Sequence, residues 1–523
     1  MIDSTALPSA AESVRDSKSI AAALKDNAAL VFATILALLF HALAIRNYGF
    51  FRDELYYIAC SHHLAWGYID QPPLVALIAW VSRHLFGNSL VAIRVFPALA
   101  GAASVFLTGL FAREIGGARF AQFLAACAIL FAPICLAFTS FYSMNAFEPL
   151  FWLVCAWIVV RILQGGSPRL WLLFGLIAGI GIENKHTMIV FGFAIACGLI
   201  LSGNLAVFKS SWFWLGGLVA FLAFLPNLHW EVVHGFPQIE VVRNAQLYKN
   251  EKIGPSGFLF DQSLFVQPLT FLLCVAGVLW MFLTREGKRY SFLAWSYLIV
   301  LVIFIVLDGK SYYVVPIYPI IIAAGAVAFE QIVKRPALRT AYVALIIIGG
   351  LIALPLGLPI LPVNLFLEYL HIVPYGTVKT ERDATVALPQ LYADMFGWEN
   401  LAKQVAIVYD SLPKDEHAGC AIAAGNYGEA GAIDYYGPAL GLPPAISGHN
   451  SYYDWGPRNY SGACVILVGE RSKYLSQFFG EVHLAATVTN SYVMPSERNV
   501  PIYICHNPVE PLAQLWPHFR MII

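Results

Sequence analysis

The stretch that decides the fold of this chain follows its first long apolar run and reads Phe51-Arg52-Asp53-Glu54-Leu55-Tyr56-Tyr57. It places two adjacent carboxylates and a guanidinium group at the end of a hydrophobic segment. Such charge is costly at a bilayer unless it binds a ligand or takes part in a reaction. A plain interfacial ion network or a helix cap is the alternative interpretation, and the stretch alone favours neither.

The composition is that of a polytopic membrane protein. The chain has 523 residues, of which 59% are hydrophobic and 12% are charged, and its mean hydropathy is +0.67. Soluble chains carry about 25% charged residues. Because the formal net charge is zero, nothing suggests nucleic acid as a partner, and membrane lipids are the expected surroundings.

The apolar segments predict an α-helical fold with about 11 transmembrane helices, since a span needs about 20 apolar residues. The segments at 169–183 and 187–203 are the shortest. The predicted spans are residues 28–47, 90–112, 118–138, 145–163, 169–183, 187–203, 211–228, 266–284, 291–307, 314–332 and 339–357.

The distribution of lysine and arginine predicts the orientation, because short basic loops stay on the cytoplasmic side. With residues 1–27 as a cytoplasmic N-terminal segment, nearly every short basic loop falls on that side. The transmembrane domain then covers 28–357, and loops 48–89 and 229–265 and the C-terminal residues 358–523 lie outside. The basic residues placed inside are Arg15, Lys18, Lys25, Arg113, Arg119, Arg161, Arg169, Lys209, Arg285, Lys288, Arg289, Lys334, Arg335 and Arg339.

The C-terminal residues suffice for one domain, and their pattern predicts a periplasmic α/β fold. A helical-looking stretch covers residues 389–409. Two segments rich in aromatic and amide side chains, 426–432 and 448–457, suit sugar recognition or ordinary turns. Short β-like runs occur at residues 420–424, 464–468 and 502–505.

The cysteine and histidine residues suggest no metal site. Cys420, Cys464 and Cys505 in the C-terminal region allow at most one internal disulfide. His62 and His63 in the first outer loop are more typical of solvated residues, since a zinc site needs three or four ligands and no clear set is visible. We therefore expect no metal and no cofactor.

The first outer loop also contains a predicted surface helix. The apolar run at 74–81 is too short to span, and Pro73 suits the first turn of a helix. A helix lying along the outer surface gives an enzyme a platform for a lipid-linked substrate. The head of the lipid can then meet a base while its tail stays in the bilayer.

Two motifs of this loop resemble the first periplasmic loop of membrane glycosyltransferases of the C superfamily. They are residues 51–57, quoted above, and Gly67-Tyr68-Ile69-Asp70-Gln71-Pro72-Pro73-Leu74. In particular the chain resembles glycosyltransferase family 39 and its bacterial relatives, which include the protein O-mannosyltransferases and the aminoarabinose transferase of lipid A. The resemblance covers the spans, residues 28–335.

Three later segments are similar to that superfamily as well. Residues 179–185 look like a glycine-rich span ending in a lysine, Lys185, and residues 308–319 look like a later outer motif with a basic residue and tyrosines before a proline. Residues 144–149 carry a second acidic residue, Glu148. One departure is Gln71, which stands where the aminoarabinose branch has a lysine, and this counts against transfer of aminoarabinose to lipid A.

The resemblance implies a hexosyl or pentosyl transferase that uses a polyprenyl-phosphate-linked sugar as donor. Its acceptor is a lipid, a glycan or a protein at the outer face of a bacterial inner membrane, as in lipopolysaccharide modification. Asp53 is implied as the catalytic base, and Glu54 as the second catalytic residue, which binds the acceptor or orients the loop. The residues implied in substrate binding are Arg52, Tyr57, Glu148, Lys185, Lys310, Tyr312 and Tyr313.

Other interpretations of these charges stay open. Each lysine could simply extend toward water, and Glu148 could be a helix N-terminal charge. Arg243, Lys249 and Lys252 in the second outer loop could meet an anionic substrate or be solvated. The main competing function is a transporter or flippase of a lipid-linked glycan, although such proteins often have repeated halves and no repeat is evident here. A structural or assembly protein is the second alternative.

Overall fold

The computed structural model describes residues 26–373, 387–470 and 472–523. Its larger part is a bundle of apolar helices, and its smaller part contains a five-stranded sheet near the C-terminus. The predicted cytoplasmic segment 1–27 lies outside the described residues except for its last two.

The helical part confirms a membrane-type fold. Six described helices are long and apolar enough to cross a membrane, and two bent pairs raise the count to up to eight. Each of the predicted spans lies on an apolar helix, while the number that crosses the bilayer stays a prediction. The six long helices are Leu90–Glu114, Met144–Leu163, Ser211–Val233, Gly287–Val306, Ser311–Ile332 and Pro336–Gly357. The shorter apolar helices are Ala28–Ala44, Leu74–Phe86, Leu170–Asn184 and Thr187–Leu201.

The two bent pairs break at proline. Arg119–Leu130 and Pro133–Ser140 meet at 59°, and Pro255–Phe265 and Pro268–Leu283 meet at 107°. Pro133 and Pro268 begin the second halves, and proline cannot donate the backbone hydrogen bond that would continue the first. The remaining helices of eight or more residues are Arg52–His62, Pro237–Asn244, Val363–Ile372, Trp398–Asp410 and Tyr427–Tyr436.

Glycines bring the helices of the bundle close together. A Cβ atom at Gly216 would clash with the backbone of Trp171, and one at Gly325 would clash with the backbone of Leu273. Small residues at such crossings are how membrane helices pack. The helix Ser311–Ile332 is more deeply buried than the other five long helices, so it lies at the centre of the bundle.

The segments predicted to share the cytoplasmic side meet one another. Arg119 pairs with Asp26 at 2.8 Å, and Arg161 pairs with Glu114 at 3.2 Å. The Ala118 backbone N–H donates to Glu330 at 2.7 Å. These contacts agree with loops on one side of a bilayer, and the identity of that side stays a prediction.

The C-terminal sheet has five strands, which are β1 Cys420–Ala424, β2 Ile446–Ser447, β3 Cys464–Val468, β4 Phe479–Thr489 and β5 Asn499–Pro508. Their order is β2-β1-β3-β5-β4. Strands β1 to β3 are parallel, whereas β5 runs antiparallel to both β3 and β4. The three predicted β runs are therefore confirmed, while the predicted helical stretch 389–409 is broken, because Gly397 adopts a left-handed conformation before Trp398–Asp410.

One disulfide links the parallel strands. Cys420 and Cys464 are directly paired in the ladder, with Cα atoms 4.5 Å apart, and they form the disulfide. Cys505 is a buried free thiol. This arrangement agrees with the limit of one internal disulfide in the region.

The C-terminal domain packs against both predicted outer loops. The Tyr435 hydroxyl donates to the Asn88 carbonyl at 2.6 Å. Arg520 pairs with Glu240 of the second loop at 2.7 Å. The three segments predicted to lie on the same side are therefore in contact, and the candidate site lies among them.

Candidate active site

The motif at 51–57 begins a helix, Arg52–His62, which we call the first-loop helix. The Glu54 carboxylate accepts the Phe51 backbone N–H at 2.8 Å. A glutamate at the third helical position commonly closes a helix start in this way. The cap turns Glu54 inward, whereas Asp53, one residue earlier, lies on a different face of the helix and lines a cavity.

Glu54 is fully buried in an ion pair. Arg94 donates from Nε to Oε1 at 2.9 Å and from Nη2 to Oε2 at 2.8 Å. The Tyr142 backbone N–H also donates to Oε1, at 2.7 Å. With both oxygens occupied and no exposed surface, Glu54 holds the start of the first-loop helix and does not line the cavity beside Asp53 described below.

Asp53 has the opposite environment. Its side chain is 30% exposed and lines a cavity of about 310 Å³. Its Oδ1 accepts the Tyr427 hydroxyl at 2.9 Å, and Arg52 Nε lies 3.9 Å from the same oxygen. No described residue makes a hydrogen bond to Oδ2, so this oxygen is available to a substrate.

The cavity beside Asp53 combines polar and apolar side chains. Three cationic side chains, Arg52, Lys249 and Lys310, line it, and its other polar lining residues are Asn145, Tyr312, Gln390 and Tyr427. This combination suits an amphiphile with an anionic head. The apolar lining consists of Phe51, Pro133, Ile134, Ala137, Phe138, Phe141, Leu264, Phe265, Leu356, Leu370, Pro389 and Leu391.

The two lysines implied in substrate binding, Lys185 and Lys310, differ in their surroundings. Lys310 lines the cavity, with its ammonium 5.9 Å from the ring centroid of Tyr312. Lys185 lies behind that wall, where it donates to Asn145 at 2.7 Å and pairs with Glu148 at 3.1 Å. Lys185 can therefore position the wall, whereas Lys310 can meet a ligand directly.

Glu148, Tyr57 and Tyr313 lie behind the residues that line the cavity. Glu148 is 1% exposed and also accepts the Thr187 hydroxyl. The Lys185 ammonium lies 4.6 Å from the ring centroid of Tyr313. Tyr57 is buried, with its ring 5.9 Å from that of Tyr142, so it packs behind Asp53 and does not line the cavity.

The histidines of the first loop show no ligand geometry. His63 stacks on Trp455 at 4.2 Å, and burial lowers its pKa. Within the described residues, the one cluster with metal-ligand spacing is Glu416, Cys464 and His506. Its thiol is consumed in the disulfide.

Three further residues belong to the site. The sequence analysis gave no role to Arg94 or Tyr427, and it left two roles open for Lys249. Arg94 sits alone in an apolar span, and a lone intramembrane charge is a signal of a buried partner. Lys249 was left between ligand binding and solvation, and its place in the cavity lining favours binding. Tyr427 could not be found from sequence, because 374 positions separate it from Asp53.

Asp70 joins the first outer loop to the C-terminal domain. Its carboxylate accepts the Tyr56 hydroxyl at 2.7 Å and the Asn450 amide at 3.1 Å. Burial raises the pKa of Asp70 from 3.8 to about 6. The interface therefore holds a carboxyl group whose pKa is raised to about 6.

The variant Asp70→Asn tests the raised pKa of this carboxyl group through the pH dependence of stability. Because the folded protein holds the proton more tightly than the unfolded chain, wild type loses stability relative to the variant as the pH rises through about 4 to 6. We expect the difference in melting temperature, wild type minus variant, to be larger at about pH 5 than at about pH 7. Scanning fluorimetry in detergent measures it, and a constant difference would contradict the assignment.

Comparisons with known proteins agree with this architecture. Residues 70–230 match the family of dolichyl-phosphate-mannose-protein mannosyltransferases, so the match covers less than half of the chain and begins after Asp53. No match was found among curated proteins.

Solved structures share the fold over most of the chain. ArnT from Cupriavidus metallidurans bound to undecaprenyl phosphate is 13% identical, with a TM-score of 0.59 over 91% of this chain and 98% of that one. Its apo state gives a TM-score of 0.57. The archaeal oligosaccharyltransferase AglB from Archaeoglobus fulgidus, in complex with an inhibitory peptide and a dolichol-phosphate, gives 0.50 at 13% identity, over 84% of this chain and 69% of that one.

The family match and the shared fold confirm that this chain resembles the membrane glycosyltransferases of the C superfamily.

Proposed function

We propose that the chain is a glycosyltransferase that moves a sugar from a polyprenyl-phosphate-linked donor to an acceptor hydroxyl. The observation that carries the proposal is a cavity in which Asp53 and three cationic side chains meet a largely apolar lining. A polyprenyl phosphate has matching chemistry, since its anionic head can pair with Lys310, Lys249 and Arg52 while its chain contacts the apolar side chains. The relatives support this donor, because ArnT was solved with undecaprenyl phosphate and AglB with a dolichol-phosphate.

The chemistry follows from the same residues. Asp53 Oδ2 takes the proton of the acceptor hydroxyl, whose oxygen attacks the anomeric carbon of the donor. The bond between that carbon and the phosphate oxygen breaks, and its electron pair leaves with the lipid phosphate. The cationic side chains stabilise the negative charge of this leaving group. A single phosphate needs no metal ion beyond them, and the proposal includes none.

We also propose on which side of the membrane the active site lies. The basic residues predict that the cavity opens on the outer face of a bacterial inner membrane, where the first-loop helix contributes Arg52 and Asp53 to its lining. Lipid, glycan and protein acceptors are all compatible with the geometry.

The test compares cells with and without the gene. Mass spectrometry of envelope lipids, glycans and proteins is expected to show one species that loses a sugar-sized mass in the deletion strain and regains it on complementation. The same extracts are expected to accumulate the polyprenyl-phosphate-linked donor. An unchanged envelope together with an unchanged donor pool would contradict the proposal. Accumulation of the donor on the inner face only would favour a flippase.

The replacement Lys310→Ala tests the phosphate site. A charge-assisted contact contributes about 1.5–3 kcal/mol, so we expect the dissociation constant for undecaprenyl phosphate to rise about tenfold or more. Native mass spectrometry or tryptophan quenching with purified protein measures it. Lys403→Ala, which removes an exposed lysine paired with Glu399, is the control and should bind as wild type does. Equal affinity of Lys310→Ala and wild type would place the phosphate elsewhere.

A further inference from the structure

The C-terminal domain contributes a side chain to the candidate active site. Tyr427 is 6% exposed, lines the cavity and donates its hydroxyl to Asp53 Oδ1 at 2.9 Å. Its ring lies 4.7 Å from that of Tyr56 and 4.8 Å from that of His449, and the Arg52 guanidinium lies 5.6 Å from its centroid. The phenol is therefore held on several sides.

Local structure fixes the position of Tyr427. It is the first residue of the helix Tyr427–Tyr436, and the Asn426 side chain accepts the backbone N–H groups of Gly428 and Glu429. Such a cap holds the first turn of a helix in place. The Tyr427 backbone N–H donates to His449 Nδ1 at 3.2 Å. The phenol is thus anchored to the C-terminal domain and not to the membrane helices.

Two glycines bring this helix against the first-loop helix. A Cβ atom at Gly428 would lie 2.6 Å from Arg52 Cγ, and one at Gly431 would lie 3.0 Å from the Leu55 backbone. Larger residues would separate the helices and lengthen the bond from Tyr427 to Asp53. The close approach is therefore built into the sequence of the C-terminal helix.

We infer that Tyr427 is a positioning residue for Asp53, through which the C-terminal domain completes the active site. The phenol occupies Oδ1 and so leaves Oδ2 toward the cavity, in the orientation that an acceptor hydroxyl needs. It also keeps Oδ1 from rotating into a closer pair with Arg52. This inference rests on the proposed function, because it assigns Tyr427 to the base of that reaction.

The test is Tyr427→Phe, assayed for sugar transfer in membranes from the complemented deletion strain. A base displaced by about 1 Å can lose about 100-fold in rate, so we expect the turnover rate per folded molecule to fall about 10- to 100-fold. The KM for the endogenous donor and the affinity for undecaprenyl phosphate should stay unchanged. Gly431→Ala, which keeps the phenol but crowds the Leu55 backbone of the first-loop helix, should also lower turnover.

A matched control separates positioning from stability. Tyr452 is also buried in the C-terminal domain and donates to a carboxylate, Asp434, at 2.7 Å, so Tyr452→Phe removes a similar bond away from the cavity. Equal turnover of Tyr427→Phe and Tyr452→Phe would overturn the inference. Asp53→Ala distinguishes a failure of the proposed catalytic base from a failure of the positioning role of Tyr427. Activity retained by Asp53→Ala refutes its role as the base, whereas loss in Asp53→Ala with full activity in Tyr427→Phe refutes the positioning role alone.

Discussion

Asp53→Asn is expected to abolish sugar transfer while leaving the protein folded. A general base contributes about 100- to 10,000-fold to a rate, and the amide cannot take the proton of the acceptor. The replacement is nearly isosteric, and its oxygen can still accept the Tyr427 hydroxyl that Asp53 Oδ1 accepts at 2.9 Å. Initial rates of transfer in isolated membranes, normalised to the amount of folded protein, measure the effect.

The affinity for undecaprenyl phosphate is the second quantity measured in this experiment. Undecaprenyl phosphate should bind Asp53→Asn at least as tightly as wild type, because the variant removes a negative charge from a site that binds an anion. Asp410→Asn, an exposed carboxylate at the end of Trp398–Asp410, serves as the control and should keep full activity. Retained transfer by Asp53→Asn would refute the base, and loss of lipid binding would show that the residue supports the cavity instead.

The sequence predicted the membrane fold well because span formation is a local property. Twenty apolar residues in a row must form a helix in a bilayer, and each predicted span lies on an apolar helix. The break within 118–138 was missed although Pro133 marks it, because the hydropathy of the segment continues across the bend. The predicted strands β1 and β3 and the predicted part of β5 are likewise continuous apolar runs, whereas the two-residue β2 and the mostly exposed β4 have no such run and were not predicted.

The candidate site was predictable only in part, because its contacts join distant segments. The sequence identified both adjacent carboxylates, Asp53 and Glu54, as candidates. Which of them is buried in an ion pair and which lines the cavity depends on Arg94, 40 positions from Glu54. Similarly, Lys185 was placed at the end of a span, whereas its pairing with Glu148 and its position behind the cavity wall depend on how two helices pack. Residue type and spacing indicate candidate chemistry, and the packing decides which side chain reaches the cavity.

The buried pair of Glu54 and Arg94 leads to the second large effect. Glu54→Ala leaves the Arg94 guanidinium, 1% exposed, without its carboxylate, and the Tyr142 backbone N–H without its acceptor. Breaking a buried ion pair costs about 3–5 kcal/mol, so we expect a large fall in the unfolding midpoint and in the amount of protein in the membrane. Thermal unfolding in detergent and quantitative immunoblotting measure these quantities.

Removal of both charges distinguishes a supporting role from a catalytic one. Glu54→Leu combined with Arg94→Met leaves no isolated charge, and apolar replacements of a buried pair are often neutral or stabilising. We therefore expect the double variant to recover part of the stability lost in Glu54→Ala, since the Phe51 and Tyr142 backbone N–H groups still lack their acceptor, and with it part of the transfer activity in the membrane. A double variant that folds as wild type does but transfers no sugar would make Glu54 a catalytic group. Asp53→Asn is expected to show the converse pattern, full stability without transfer, since its carboxylate faces the cavity and supports no buried charge.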